Sequence, residues 1–301
     1  MSSTEQLNEV EEVCASCGIT ASDDVTLKIC TACKLVKYCS VECQKNHRPK
    51  HKNACKKRAA EIRDDQLFTQ PDESHLGECP ICCLPLSLDE NKFSVYSCCC
   101  KAICNGCAYA NQKREIEQGL ETRCPHCREP LPETEEEAQQ NTMKRAKAND
   151  PVAMLQRGKK RYREGDFEGA FEYFTKAAAL GNADAHHNLS ILYNKGQGVE
   201  KDMKKYLHHM EEAAIGGHPL ARYNLGYEEM SKGRHDRATR HFIIAANLGL
   251  DDALEKVKKY FASGLASKED YEVALRGHQA AVDATKSEQR DAAEKYYYRF
   301  R

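Results

Sequence analysis

Residues 38–55 read YCSVECQKNHRPKHKNAC: three cysteines and two histidines among basic side chains, with almost nothing apolar to bury. So polar a segment cannot fold on hydrophobic burial, and its ligand content points to metal. Reading outward gives Cys14-x2-Cys17, Cys30-x2-Cys33, Cys39-x3-Cys43 and His51-x3-Cys55, a ligand set sufficient for two tetrahedral zinc ions. A C-x2-C turn sets two thiolates on one metal with backbone amides free to donate to sulfur. Alternate pairs then clamp each ion in a cross-brace, with Cys14, Cys17, Cys39 and Cys43 on one and Cys30, Cys33, His51 and Cys55 on the other. His51 is preferred to His47 because it keeps the x3 spacing to Cys55. Structural zinc contributes on the order of 10 kcal/mol to modules of this size, which replaces the missing core.

The whole chain has 301 residues, 41% of them apolar and 30% charged, as in a soluble protein of two or three domains. A formal charge of −1 argues against a protein built to hold nucleic acid. All 17 cysteines lie between Cys14 and Cys127, so the two halves differ chemically. No apolar run approaches a membrane span, and the opening MSSTEQLNEVEE lacks a basic start and an apolar signal core. The expected location is cytoplasmic or nuclear, with reduced thiols and no disulfide framework.

Within 14–55, Tyr38, Cys39, Ser40, Cys43 and Gln44 stand where the MYND-type zinc finger has its Y-C-S-x2-C-Q signature, and the segment resembles that family. The resemblance implies a protein-interaction module that grips short proline-containing peptides. Arg48 stands where the family often has a tryptophan, and the chain has no tryptophan. The basic run from Arg48 to Arg58 reads as the solvated face of the helix carrying the last two ligands rather than as a nuclear-import or nucleic-acid patch.

The finger domain is set at 10–60, followed by a polar linker over 61–76. Over 77–132 a second cluster runs Cys79-x2-Cys82, a triplet Cys98, Cys99 and Cys100, Cys104-x2-Cys107, and Cys124-Pro125-His126-Cys127. The order and the two C-P-x-C elements resemble a RING finger, another cross-braced two-zinc module. The resemblance assigns Cys79, Cys82, Cys104 and Cys107 to one ion, and Cys124 and Cys127 with two of the triplet to the other. Cys98 and Cys99 are chosen, with Cys100 as the alternative; Cys83 and His126 have no ligand role. Four zinc ions are therefore expected in all. In the family, an apolar residue between the first two ligands, an apolar residue or proline near the seventh and a cation after the eighth contact a ubiquitin-conjugating enzyme. Ile81, Pro125 and Arg128 occupy those places. A RING acts by positioning its partner, so no nucleophile or acid/base residue is expected of this chain and no catalytic residue is assigned.

The charge-graded stretch 133–149 reads as a linker helix. Beyond it, AAALGNADAHHNL (177–189), AAIGGHPLARYNL (213–225) and AANLGLDDALEKV (245–257) align, placing Gly181, Gly217 and Gly249 in register. Each unit reads as two amphipathic helices ended by a glycine in left-handed conformation. The A-x-x-N-L pattern at 185–189 and 221–225 resembles Sel-1-type repeats, a branch of the tetratricopeptide-like solenoids, over 150–283. Such arrays present a concave protein-binding surface, with Asn188, Tyr193, Asn224 and Tyr227 as candidates. Residues 284–301 read as a helix closing the stack.

The fold class is thus multi-domain: two small zinc-stabilised cross-brace modules followed by an all-α helical-repeat solenoid. The leading expectation is a RING-type ubiquitin ligase whose repeats and MYND finger recruit substrate proteins. The alternative is a non-catalytic adaptor or scaffold, including a transcriptional or chromatin-associated regulator. A third reading, a MYND-containing lysine methyltransferase, is disfavoured because the remaining chain reads as helical repeats, with no candidate SET-domain strands or cofactor motif.

Overall fold

The computed structural model describes residues 13–298; the opening stretch MSSTEQLNEVEE and residues 299–301, the end of the segment expected to form a closing helix, lie outside the described residues. The chain divides after Thr69 into two compact units.

In the first unit, β1 (Lys28–Ile29) pairs antiparallel with β2 (Lys37–Tyr38), and a single helix α1 (Val41–Phe68) follows. Ser40 starts α1 by accepting the Cys43 amide. The helix has almost no apolar face; most of the side chains from Arg48 to Lys57 are exposed. The centre of this unit is made of Cys14, Cys30, Cys33 and Tyr38 rather than of aliphatic side chains. α1 continues through much of the segment read as a linker, because residues 61–68 contain no Gly or Pro to stop it.

The second unit begins with a small module: β3 (Phe93–Val95) pairs antiparallel with β4 (Ala102–Cys104), and α2 (Asn105–Glu117) follows directly. Then come α3 (Glu135–Lys147), α4 (Pro151–Arg163), α5 (Phe167–Ala179), α6 (Ala183–Lys195), α7 (Met203–Ile215), α8 (Pro219–Ser231), α9 (His235–Asn247), α10 (Asp251–Ala262), α11 (Lys268–Ala284) and α12 (Glu288–Tyr298).

α4 to α9 form three stacked helix pairs, and one rule repeats through them. The first helix of each pair is capped by a side chain accepting backbone amides: Asp150 for α4, Asn182 for α6 and His218 for α8. The second helix is followed by Gly181, Gly217 or Gly249 at φ of 81°, 79° and 92°, the left-handed conformation that reverses the chain. Midway along each pair a small residue faces a large one: Gly158 meets Phe174, Ser190 meets Met210, and Gly226 meets Phe242. Phe174, Met210 and Phe242 are at most 2% exposed. α10 and α11 continue the stack against α9.

Two elements depart from the expected layout. α3 is not simply solvated, because Ala146 on its last turn joins the core of the first repeat with Ala153, Met154 and Leu155. α12 does not close the repeat stack but packs on α2 of the second cysteine module, where Tyr296 and Tyr297 meet Tyr109 with ring centroids 4.7 and 6.3 Å apart. Among the described residues no helix is long and apolar enough to cross a membrane.

Candidate metal centres and partner surface

Four Cys/His tetrads converge: Cys14, Cys17, Cys39 and Cys43; Cys30, Cys33, His51 and Cys55; Cys79, Cys82, Cys104 and Cys107; and Cys98, Cys99, Cys124 and Cys127. None of the 17 cysteines is in a disulfide. The sulfur pairs Cys17–Cys39, Cys30–Cys55, Cys82–Cys104, Cys99–Cys124 and Cys98–Cys127 are 3.6, 3.8, 3.8, 3.8 and 3.4 Å apart. Zinc–sulfur bonds of about 2.3 Å in a tetrahedron put the sulfurs about 3.8 Å apart, so these spacings suit zinc and are far too long for disulfides. His51 turns Nε2 to within 3.2 Å of Cys33 Sγ.

Hydrogen bonds from backbone and neighbouring side chains favour one thiolate in each tetrad. Burial works against the Cys14 thiolate, yet donation from the backbone of residues 39, 17 and 16 outweighs it and lowers the group to about 6. Cys30 is likewise opposed by burial but brought to about 6 by the Cys33 amide, the His51 ring and the Ala32 amide. A hydrogen bond from Cys104 is the largest influence on Cys79, and with the Cys82 and Ile81 amides it overcomes burial to bring the thiol down to about 4. Cys127 is lowered against burial, chiefly by the Glu129 amide. Each tetrad thus contains one thiol that favours the anionic form a metal requires.

The cysteine triplet is resolved by the turn after β3. Tyr96 donates its amide to the Lys101 carbonyl and accepts the Cys100 amide, while Cys100 sits at φ 53°. That turn leaves Cys98 and Cys99 in the tetrad and buries Cys100 with Ala146, Ala153 and Met154 instead. Burial, then the nearby Asp150 charge, raises the Cys100 thiol to about 11, so it stays protonated. Cys83 and His126 are exposed. His47 is paired with the Tyr38 hydroxyl at 3.0 Å and stacks on His51.

Ile81 is 42% exposed, Pro125 half-buried and Arg128 exposed. Arg128, at φ 65°, donates from Nη1 to Asn111 Oδ1 at 2.6 Å and lies 3.7 Å from the buried Glu115 carboxylate. At about 100° per residue, Asn111 and Glu115 occupy one side of α2 and Gly106 and Tyr109 the other, so α12 covers the side away from Arg128. A shallow cleft lined by Arg114, Glu115, Leu120, Arg123 and Arg128 opens beside α2.

Of the proposed repeat-surface residues, Tyr193 is buried between Phe171 and His209 and belongs to the core. Asn188 bonds the Asp184 carbonyl, Asn224 is half-buried, and Tyr227 is exposed beneath the Lys256 ammonium at 4.6 Å. Sequence reasoning missed Arg290 of α12, which donates from Nη2 to Cys82 Sγ at 3.4 Å. Residues so far apart along the chain give no pairing signal.

With this geometry in place, comparison with known proteins divides along the same lines. Residues 14–55 match the MYND finger family. Residues 153–182, 183–218 and 219–250 each match the Sel1 repeat. The chain therefore contains a MYND-finger segment and three Sel1 repeats, together with Cys/His tetrads that suit several zinc sites, and repeats of this kind suit the binding of proteins. It is 45% identical over 56 residues to the protein named "Putative beta-lactamase HcpC" of Helicobacter pylori strain J99, covering 19% of each chain. It is 29% identical over 117 residues to "Uncharacterized protein NMB1327" of Neisseria meningitidis serogroup B, covering 39% of this chain and 25% of the other. The chain spans about a fifth of the length of the first curated relatives it matches. Among solved structures it is similar to a Sel1 repeat protein from Oxalobacter formigenes, with a TM-score of 0.43 and 24% identity over 58% of this chain and 52% of the other.

Proposed function

We propose that this chain is an interaction protein in which the second cysteine module acts as a RING-type docking site for a ubiquitin-conjugating enzyme, while the Sel1-like repeats and the MYND finger hold partner or substrate proteins. Four bound zinc ions, one per tetrad, and a cytoplasmic or nuclear setting go with this reading. The observation that carries it is the placement of α12. It braces α2 through Gly106 and Tyr109, whereas Ile81 and Arg128 stay exposed and Asn111 holds the Arg128 guanidinium in one orientation. A cation fixed beside a docking surface stabilises one geometry of a bound conjugate, which is how a protein without reacting groups of its own raises a transfer rate.

A conjugation assay with purified ubiquitin-conjugating enzymes tests this, comparing wild type with Ile81→Ala and Arg128→Ala at unchanged zinc content. Loss of ubiquitin transfer in both variants is expected. No transfer by wild type across a broad panel of conjugating enzymes removes the ligase and leaves the second reading, a non-catalytic adaptor. That reading is favoured by one observation: the Arg128 guanidinium already has partners within its own module, as a purely structural arginine would.

A further inference from the structure

Outside the cysteine modules, three side chains from distant parts of the chain meet at one buried point. His75 lies on the segment entering the second module, Asp184 is the second residue of α6, and His218 caps α8. One ligand atom from each falls within 4.8 Å of the others. The backbone is drawn in close to make this possible: the His75 amide donates to the Gly217 carbonyl at 3.0 Å, and a Cβ on Gly217 would stand 2.7 Å from the Glu73 carbonyl oxygen. Only glycine permits that approach.

The contacts within the cluster are unusual for buried polar groups. Asp184 presents Oδ2 to His75 Nε2 at 3.6 Å and Oδ1 to His218 Nε2 at 3.7 Å, both beyond hydrogen-bonding distance. The His75 side chain is only 9% exposed, and its Nδ1 is buried without a hydrogen-bond partner. Nitrogen and oxygen ligands at about 2.0–2.1 Å from a tetrahedral ion stand about 3.3 Å apart, so binding one requires the three ligand atoms, now within 4.8 Å of one another, to close and the stacked His75 and His218 rings, with centroids 4.2 Å apart, to turn their nitrogens to a common point. The choice of residue at the cap adds to this. Asp150 and Asn182 cap the equivalent helices with amide contacts of 3.0 and 2.8 Å, whereas His218 makes a longer contact of 3.3 Å to the Ala221 amide. An imidazole is a poorer cap than either sibling, and coordination through Nε2 would exchange that weak contact for a metal bond.

We propose that His75, Asp184 and His218 form a further divalent-metal site, of the two-imidazole, one-carboxylate type that suits zinc with a water as fourth ligand. The ion staples the segment entering the second module to two neighbouring repeats, α6 and α8. Lys159, whose Nζ lies 3.8 Å from Asp184 Oδ1 and which is partly exposed, is the competing cation and swings to solvent when the ion enters.

The test uses the full chain with its cysteine sites loaded with zinc, measured by metal analysis and by titration with further Zn2+. Wild type takes up one saturable equivalent more than Asp184→Asn or His75→Gln. Lys159→Ala binds that equivalent several-fold more tightly, since a neighbouring positive charge has gone. This last variant keeps all three ligands, so it reads the site even if a ligand variant folds poorly. Equal zinc in wild type and Asp184→Asn overturns the proposal. So does a Lys159→Ala protein with unchanged zinc affinity, which would make Asp184 a partner of the lysine alone.

Discussion

Replacing Arg290 by alanine should loosen one zinc site almost at the opposite end of the second unit's sequence. Its guanidinium donates from Nη1 to the Pro85 and Thr285 carbonyls at 2.6 and 2.8 Å, and from Nη2 to the Leu84 carbonyl at 3.0 Å and Cys82 Sγ at 3.4 Å. Three of these four acceptors belong to the loop that presents Cys79 and Cys82. Hydrogen bonds from charged donors are worth roughly 1.5–3 kcal/mol each when both ends are buried. The Leu84 and Pro85 carbonyls lie on half-buried residues and water can replace part of that, so the sum is discounted heavily. Loss of an outer-shell partner lowers metal affinity by about 10–100-fold, or about 1.4–2.8 kcal/mol, and Arg290→Ala belongs in that range. Lysine keeps the charge but not the fork and should fall between.

The assay is zinc release from the full chain to a chromophoric chelator, followed as resolved phases. One ion should leave about 10–100-fold faster in Arg290→Ala, with the MYND-finger phases as unchanged internal references. Gly106→Ala should reproduce the effect, because its Cβ would stand 2.9 Å from Arg290 Cγ and 3.0 Å from the Arg290 backbone, forcing α12 away. Superimposable release curves for wild type and Arg290→Ala would refute the coupling. Equal acceleration of every ion would also refute it, by showing general unfolding.

Two further outcomes follow from the same geometry. Gly226→Ala should destabilise the repeats by about 1 kcal/mol in chemical denaturation even though alanine improves helix propensity by about 1 kcal/mol, because a Cβ at 2.4 Å from Phe242 Cε1 overpacks a ring that is fully buried. In a Phe242→Leu background the same change should become neutral or stabilising, and a gain in the wild-type background would count against the packing rule. Cys100→Ala should leave the zinc content unchanged, whereas Cys99→Ser should lower it by one equivalent on metal analysis; the reverse pattern would reassign the triplet.

These tests also mark which features could be read from the chain itself. Zinc tetrads are legible because short loops set their geometry: C-x2-C turns bring both sulfurs and the donating amides together within a few residues, as at Cys14–Cys17 and Cys79–Cys82. The repeats are legible because Gly181, Gly217 and Gly249 recur where left-handed backbone is required. Three consecutive thiols at Cys98–Cys100 give no such local rule, and the choice is made by a turn whose third cysteine faces α3 and α4. α12 is harder still: its tyrosines declare that something will be covered without saying what, and the surface that receives them depends on Gly106 having no side chain. Yet one long-range feature did leave a trace in the repeat register. Where two successive caps are Asp150 and Asn182, the third is His218, which caps α8 through a longer contact and also stands beside His75 and Asp184. A departure from a repeat's own rule is therefore the place in such a chain to look for a site that the repeat does not need for folding.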